Sequence, residues 1–214
     1  MIKLKRFVFN PFAENTFLLW DEETRETMIV DPGCSNRTEE NELESFIFAN
    51  KLLVKFLINT HCHIDHIIGC KFIADKYKPV YLIPKEDEPL LQNGKTQAAM
   101  FGIKLNEPPK PDDYLSEDKV LFLGSTSPKL LFTPGHTPGE YCLYFGEEKL
   151  CLTGDVLFQG SVGRTDLWGA DTVALMNSIR TKLYTLPDDV VIYPGHGETS
   201  TIGDEKKSNP FVNG

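Results

Sequence analysis

The ten residues from Thr60 to Gly69 read "THCHIDHIIG" and hold three of the five histidines in a chain of 214 residues. Packing gives no reason to crowd three imidazoles and a carboxylate into His61–His66, because the protonated rings would repel one another. A bound cation removes that repulsion. In an extended segment His61 and His63 project to one side and Asp65 continues it, while His66 steps off as a helix begins. The flanks agree: "VKFLINT" reads as a strand and "IIGCKFIADKY" keeps helical spacing at Ile68, Phe72 and Ile73, so the cluster sits in a strand-to-helix loop.

The other two histidines repeat this placement. His136 in "TPGHTPG" and His196 in "YPGHGE" each follow a β-rich run and a Pro-Gly turn, and Asp155 in "CLTGDVLF" ends another strand. Loops at strand ends are where binding side chains concentrate on a rigid scaffold. Seven candidate ligands result: His61, His63, Asp65, His66, His136, Asp155 and His196. A structural zinc site is usually closed by four Cys or His donors, whereas this larger His/Asp set points to two metals with an open position for water, which is a catalytic arrangement.

Around these motifs the sequence reads as two β-rich halves, each carrying helices. "KRFVFN", "NTFLLWD" and "TMIVDPG" read as strands with antiparallel pairing, the last stopped by Pro32 and Gly33. A helix follows from Thr38, with Leu43, Phe46 and Ile47 at helical spacing, and "PVYLI" is a further buried strand. Residues 84–118 read as an insertion over one face. Short helices there are broken at Gly94 and Gly102, and "EPPKPDD" forbids regular structure near 107–113. Strands return at "KLLFT", "YCLYFG" and "KLCLTGD"; the glycine-rich loop "GSVGRTDLWG", a helix over 172–185 and the strand "DVVIYPG" complete the chain. "LLFTPGH" and "VVIYPGH" resemble each other, a hint of a duplicated half.

Composition narrows the function classes. A formal charge of -9 without a basic stripe argues against a nucleic-acid partner. No apolar run approaches the roughly 20 residues of a membrane-spanning helix, and the N-terminus lacks the apolar stretch of a secretion signal. Five cysteines form no CxxC pair and are odd in number, a pattern that suits reduced thiols in the cytoplasm. The length favours a single domain over 1–214. Nothing in the sequence reads on oligomeric state.

"HCHIDH" followed in order by His136, Asp155 and His196 resembles the metallo-β-lactamase superfamily along essentially the whole chain. "GDVLFQGSVGRTDL" and the ending "GHGETSTIGDEKKSNPF" are similar to short hydroxyacylglutathione hydrolases, the glyoxalase II-like branch. The resemblance implies an α+β fold, a four-layer αββα sandwich, without the C-terminal helical substrate domain of longer members. It further implies that His61, His63 and His136 hold one metal and that Asp65, His66 and His196 hold the second. Asp155 bridges them, and Asp65 and Asp155 are the catalytic carboxylates. Two dications about 3.5–4 Å apart can share a hydroxide and lower its pKa towards about 7. Zinc suits such ligation, and iron or manganese also fits these donors.

The chemistry expected of such a site is hydrolysis of a small-molecule thioester, S-D-lactoylglutathione or a related acyl-thiol. A thiolate leaves without a dedicated general acid because its pKa is about 8.5–9. Arg164 matches a basic position that contacts glutathione in the family, where a guanidinium suits a carboxylate. Asp166 and Glu198, however, stand where longer members carry aromatic residues. Trp168 is expected to pack under its loop rather than wall the cleft, and Cys62 to point into the core. Asp31 either forms a turn or orients a ligating histidine. A mononuclear iron persulfide dioxygenase and a lactonase are the rival activities on a similar scaffold.

Overall fold

The computed structural model describes residues 1–103 and 105–213, which divide into two compact units: Met1–Tyr114 with Leu121–Ser127, and Leu115–Val120 with Pro128–Gly214. The first unit opens with an antiparallel meander of β1 (Ile2–Phe9), β2 (Glu14–Asp21) and β3 (Glu26–Val30). Every residue of β2 is buried, as befits a central strand covered on both faces. Helix α1 (Arg37–Ala49) then crosses to β4 (Leu53–Ile58), which runs parallel to β3. The side chain of Asn36 accepts from Thr38 N–H and Glu39 N–H at the start of α1, and Glu39 and Glu40 favour its positive end.

Helices α2 (Ile64–Ile67) and α3 (Cys70–Tyr77) connect β4 to the parallel strand β5 (Val80–Ile83). After a 3-10 turn at Lys85–Asp87 come α4 (Glu88–Gln92), α5 (Gly94–Met100) and β6 (Asp113–Tyr114). The order of this sheet is β1-β2-β3-β4-β5-β6. Residues 107–113 are thus not irregular to their end: Asp113 and Tyr114 pair in parallel with Leu82 and Ile83, because the prolines of this stretch stop short of the edge strand. Leu18, Ile29, Leu57 and Ile83 of the sheet form one core with Leu43 and Ile47 of α1 and Ile73 of α3.

The second unit holds β7 (Lys129–Phe132), β8 (Tyr141–Phe145), β9 (Leu150–Gly154), the hairpin β10 (Leu157–Phe158) and β11 (Ser161–Val162), α6 (Thr172–Ser178), β12 (Val191–Pro194), β13 (Ser200–Thr201) and α7 (Ile202–Ser208). Its sheet runs β13-β12-β9-β8-β7, with only β12 and β9 parallel. The helix expected over 172–185 is α-helical to Ser178 and continues as a π turn, Ile179–Leu183. Asp171 caps it by accepting from Val173 N–H and Ala174 N–H. Leu175, Ile179 and Leu183 recur on one face and pack with Leu131, Cys151 and Ile192. β13 and α7 had no clear signature, being a two-residue strand followed by a polar helix capped by Thr201. Among the described residues no helix is long and apolar enough to cross a membrane.

Candidate metal centre

In the first unit the expected ligands follow the carboxyl end of β4. His61 and His66 are fully buried, with ring centroids 4.0 Å apart, and the His63 ring lies 5.0 Å from that of His61. Donor atoms of Asp31, His61 and His66 all fall within 4.8 Å of one another. Asp65 contributes an oxygen 3.7 Å from His66 Nε2, and its own carbonyl accepts from Asn10 Nδ2 at 3.0 Å. Cys62 is buried in the core cluster, as alternation required.

Asp31 resolves into the orienting role. Its carboxylate accepts from Thr60 N–H at 2.7 Å and from the Thr60 hydroxyl at 2.6 Å, and it lies 3.2 Å from His66 Nδ1. That hydroxyl has one proton, and Asp31 takes it. Thr60 Oγ1, 3.1 Å from His61 Nδ1, can therefore only accept, so His61 carries its proton on Nδ1 and presents an Nε2 lone pair. This is the tautomer a metal-ligating imidazole needs, with the carboxylate behind it. Asp31 adopts φ 50°, a left-handed conformation that Asp tolerates better than most residues. Gly69 closes the turn by donating to Pro32 O at 2.7 Å; a Cβ there would stand 2.6 Å from the same oxygen.

In the second unit His136 and His196 converge on one atom: their Nε2 atoms lie 3.5 and 3.7 Å from Asp155 Oδ2. His136 Nδ1 donates to the carbonyl of Arg164 at 2.8 Å, which again leaves Nε2 as the lone-pair donor. Gly195 N–H donates to Gly154 O at 2.7 Å, so the ends of β12 and β9 are tied together just before His196 and Asp155. Gly163 must be glycine: a Cβ would lie 1.9 Å from Asp155 O and 3.1 Å from His136 Cβ.

The residues around this second cluster refine the expectations. The Arg164 guanidinium forms a two-pronged pair with Asp166, Nε to Oδ1 at 2.7 Å and Nη2 to Oδ2 at 2.8 Å. Arg164 holds the Asp166 carboxyl down at a pKa of about 2. Trp168, expected beneath the loop, is instead 65% exposed. Gly169 at φ 78° lies so close to Pro138 that a Cβ would be 2.7 Å from the Pro138 ring, so the Gly169 backbone packs on that proline.

Both clusters fit divalent metal ions on their own chemistry. Imidazoles, two of them with Nδ1 committed to a neighbour and so presenting Nε2, stand beside carboxylates, a donor set for zinc, iron or manganese. Sequence reasoning missed the neighbours that these side chains touch: Thr60, Asn59 and the carbonyl of Arg164. Asn59 Nδ2 donates to His66 O at 2.7 Å.

Comparison with known proteins places this geometry. The model of the metallo-beta-lactamase superfamily matches residues 9–196. The hydroxyacylglutathione hydrolase GloC of Haemophilus influenzae is 38% identical over 204 residues, covering 94% of each chain. Among solved structures, the BLEG-1 B3 metallo-beta-lactamase superposes with a TM-score of 0.88 at 31% identity, over 99% of this chain and 100% of its own. TTHA1623 in a di-iron-bound form does so with 0.87 at 31% identity, over 97% and 100%. The α+β fold expected from the histidine motifs is the fold of these proteins.

Proposed function

The chain belongs to the metallo-beta-lactamase superfamily, and from that premise we propose that it is a thioester hydrolase of the hydroxyacylglutathione hydrolase type working with two divalent metal ions. The observation that carries the reading is the pair of imidazoles, His61 and His136, whose Nδ1 protons are committed, so that Nε2 of each carries the lone pair a metal takes. In this reading the two units act as one domain. His61, His63 and His136 would hold one ion, Asp65, His66 and His196 the other, and Asp155 both. Such a pair, when bound, acidifies water and polarises a carbonyl oxygen.

The chain's own residues supply the rest. Asp31 and the Arg164 carbonyl keep imidazoles in the ligating tautomer. Asp65 and Asp155 place carboxylates beside the imidazoles, where they serve as ligands and can take a proton from the attacking water. The leaving thiolate, with a pKa of about 8.5–9, departs without help from a general acid, which suits a thioester to this site. Arg164 keeps N–H donors beyond the two that Asp166 engages, and a carboxylate on the thiol carrier is the group they would meet. Five buried, unbridged thiols fit a reducing compartment, and we place the enzyme in the cytoplasm.

The similarity to GloC supports S-D-lactoylglutathione or a related acyl-thiol as substrate, and the likeness to a di-iron protein keeps iron beside zinc as the metal. The test is hydrolysis of S-D-lactoylglutathione, beside a thioester of a different thiol, with metals quantified on the same sample. Turnover with two metals per chain is expected. Metal-loaded protein that cleaves neither thioester overturns the proposal.

A further inference from the structure

We infer that two buried carboxylates outside the ligand set, Asp87 and Glu140, are positioning residues for the metal centre, each gripping a ligand-bearing segment by its backbone. The inference rests on the two-metal reading above, but its geometry lies within each unit separately. Asp87 is fully buried, and its Oδ2 accepts from the N–H of Cys62 at 3.0 Å. Cys62 stands between His61 and His63, so one hydrogen bond anchors the His61–Cys62 peptide in the middle of the ligand-bearing segment.

The position of Asp87 makes this contact informative. It immediately precedes α4, whose first turn contains a proline, and an Asp there ordinarily caps its own helix. The Asp87 side chain makes no capping bond. Its backbone sits at φ -94°, ψ 0°, the sparsely populated bridge region where functional residues recur. The carboxylate is diverted from a local partner to an amide 25 residues away.

Glu140 does the same for Asp155. It is fully buried, its Oε1 accepts from Asp155 N–H at 2.7 Å, and its own carbonyl accepts from Thr133 N–H at 2.8 Å. Asp155 follows Gly154, which is at φ 48° and already accepts from Gly195 N–H through its carbonyl. Just past the end of the strand, the Asp155 amide is thus held by a side chain, the Glu140 carboxyl group.

Geometry and charge separate by substitution. Asp87→Asn and Glu140→Gln keep an oxygen that accepts the amide proton, whereas Asp87→Ala and Glu140→Ala remove it. We would titrate each apo variant with zinc against a chelating indicator and record the cobalt(II) absorption spectrum, checking folding by circular dichroism and urea midpoint. Loss of about 10-fold or more in zinc affinity is expected for the alanine variants, the usual range for groups behind metal ligands. Asp87→Ala should weaken one of the two equivalents and Glu140→Ala both, with altered cobalt spectra. The amide variants should recover most of the loss. Folded alanine variants with wild-type affinity and spectra overturn the inference, and so do amide variants no better than alanine, which would leave charge rather than positioning as the cause. A wild type that takes up fewer than two metals refutes the two-metal reading instead, and the remaining equivalent still reports on its own clamp.

Discussion

Replacing Asp31 with Asn should reverse the proton order behind His61. The carboxylate accepts from Thr60 N–H at 2.7 Å and Thr60 O–H at 2.6 Å, and lies 3.2 Å from His66 Nδ1. An amide at this position can still accept from Thr60 N–H, but its NH2 then faces the Thr60 hydroxyl. That hydroxyl must turn its proton to His61 Nδ1, which becomes the acceptor, and the ring proton moves to Nε2, where a metal requires the lone pair. The opposite amide orientation sets two N–H groups against each other. Metal affinity should fall about 10–100-fold, or about 1.4–2.7 kcal/mol. The apo protein should lose less than the metal affinity does, because Thr60 N–H, the Thr60 hydroxyl and His61 Nδ1 each keep a hydrogen-bond partner in the rearranged network. Asp31→Ala should be harsher, since it removes the acceptor altogether and puts alanine at φ 50°, adding about 1 kcal/mol of strain. Chelator competition gives the affinity, urea unfolding of the apo form gives the stability, and long-range proton–nitrogen spectra show which ring nitrogen of His61 is protonated. An Asp31→Asn protein with wild-type zinc affinity and His61 still protonated on Nδ1 would refute the reasoning.

Gly163→Ala places a Cβ 1.9 Å from Asp155 O, so backbone must move; we expect destabilisation of about 2 kcal/mol or more and loss of bound metal, and a variant that keeps both would show the loop yields freely. Asp166 should titrate at about 2 by carboxyl NMR and return towards the ordinary value in Arg164→Ala. The sign follows from the depressed pKa: the pair's contribution is complete above about pH 4 and disappears as pH falls through the folded value. A midpoint unchanged by Arg164→Ala would assign the shift elsewhere. The thiols should be inert in the native state, because all five are buried and burial pushes Cys70 up to about 12. Ellman's reagent at pH 8 should find no fast-reacting thiol before unfolding, and a rapid reaction with folded protein would contradict the core assignment.

The proposed ligands stand out in the sequence for a physical reason. A metal centre of this kind recruits side chains from loops at strand ends, and residues adjacent in such a loop share one site, so "HCHIDH" announces itself. His136, Asp155 and His196 carried the same mark, a β-rich run stopped by a turn. The expected strands and main helices were likewise written in short-range periodicity. What holds the ligands still is written nowhere locally. Asp31 reaches Thr60 across 29 residues, Asp87 reaches Cys62 across 25, Glu140 reaches Asp155 across 15, and the Arg164 carbonyl meets His136 across 28.

Each of these contacts ends on at least one backbone atom, and a backbone amide or carbonyl has no residue type by which to be recognised. Arg164 illustrates the consequence: its side chain drew attention as a cation, yet the atom that touches a ligand is its carbonyl oxygen. Asp87 and Glu140 belong to no motif of the sequence, and both are fully buried. A buried carboxylate is costly unless its oxygens find donors, and the amides of the ligand segments are such donors. The same bond thus meets two needs, giving a buried carboxyl oxygen a donor and anchoring a peptide whose side chains must converge. Ligand identity is therefore set by local sequence and ligand precision by long-range backbone contacts, and substitutions at the second kind of position should change metal affinity without altering any ligand.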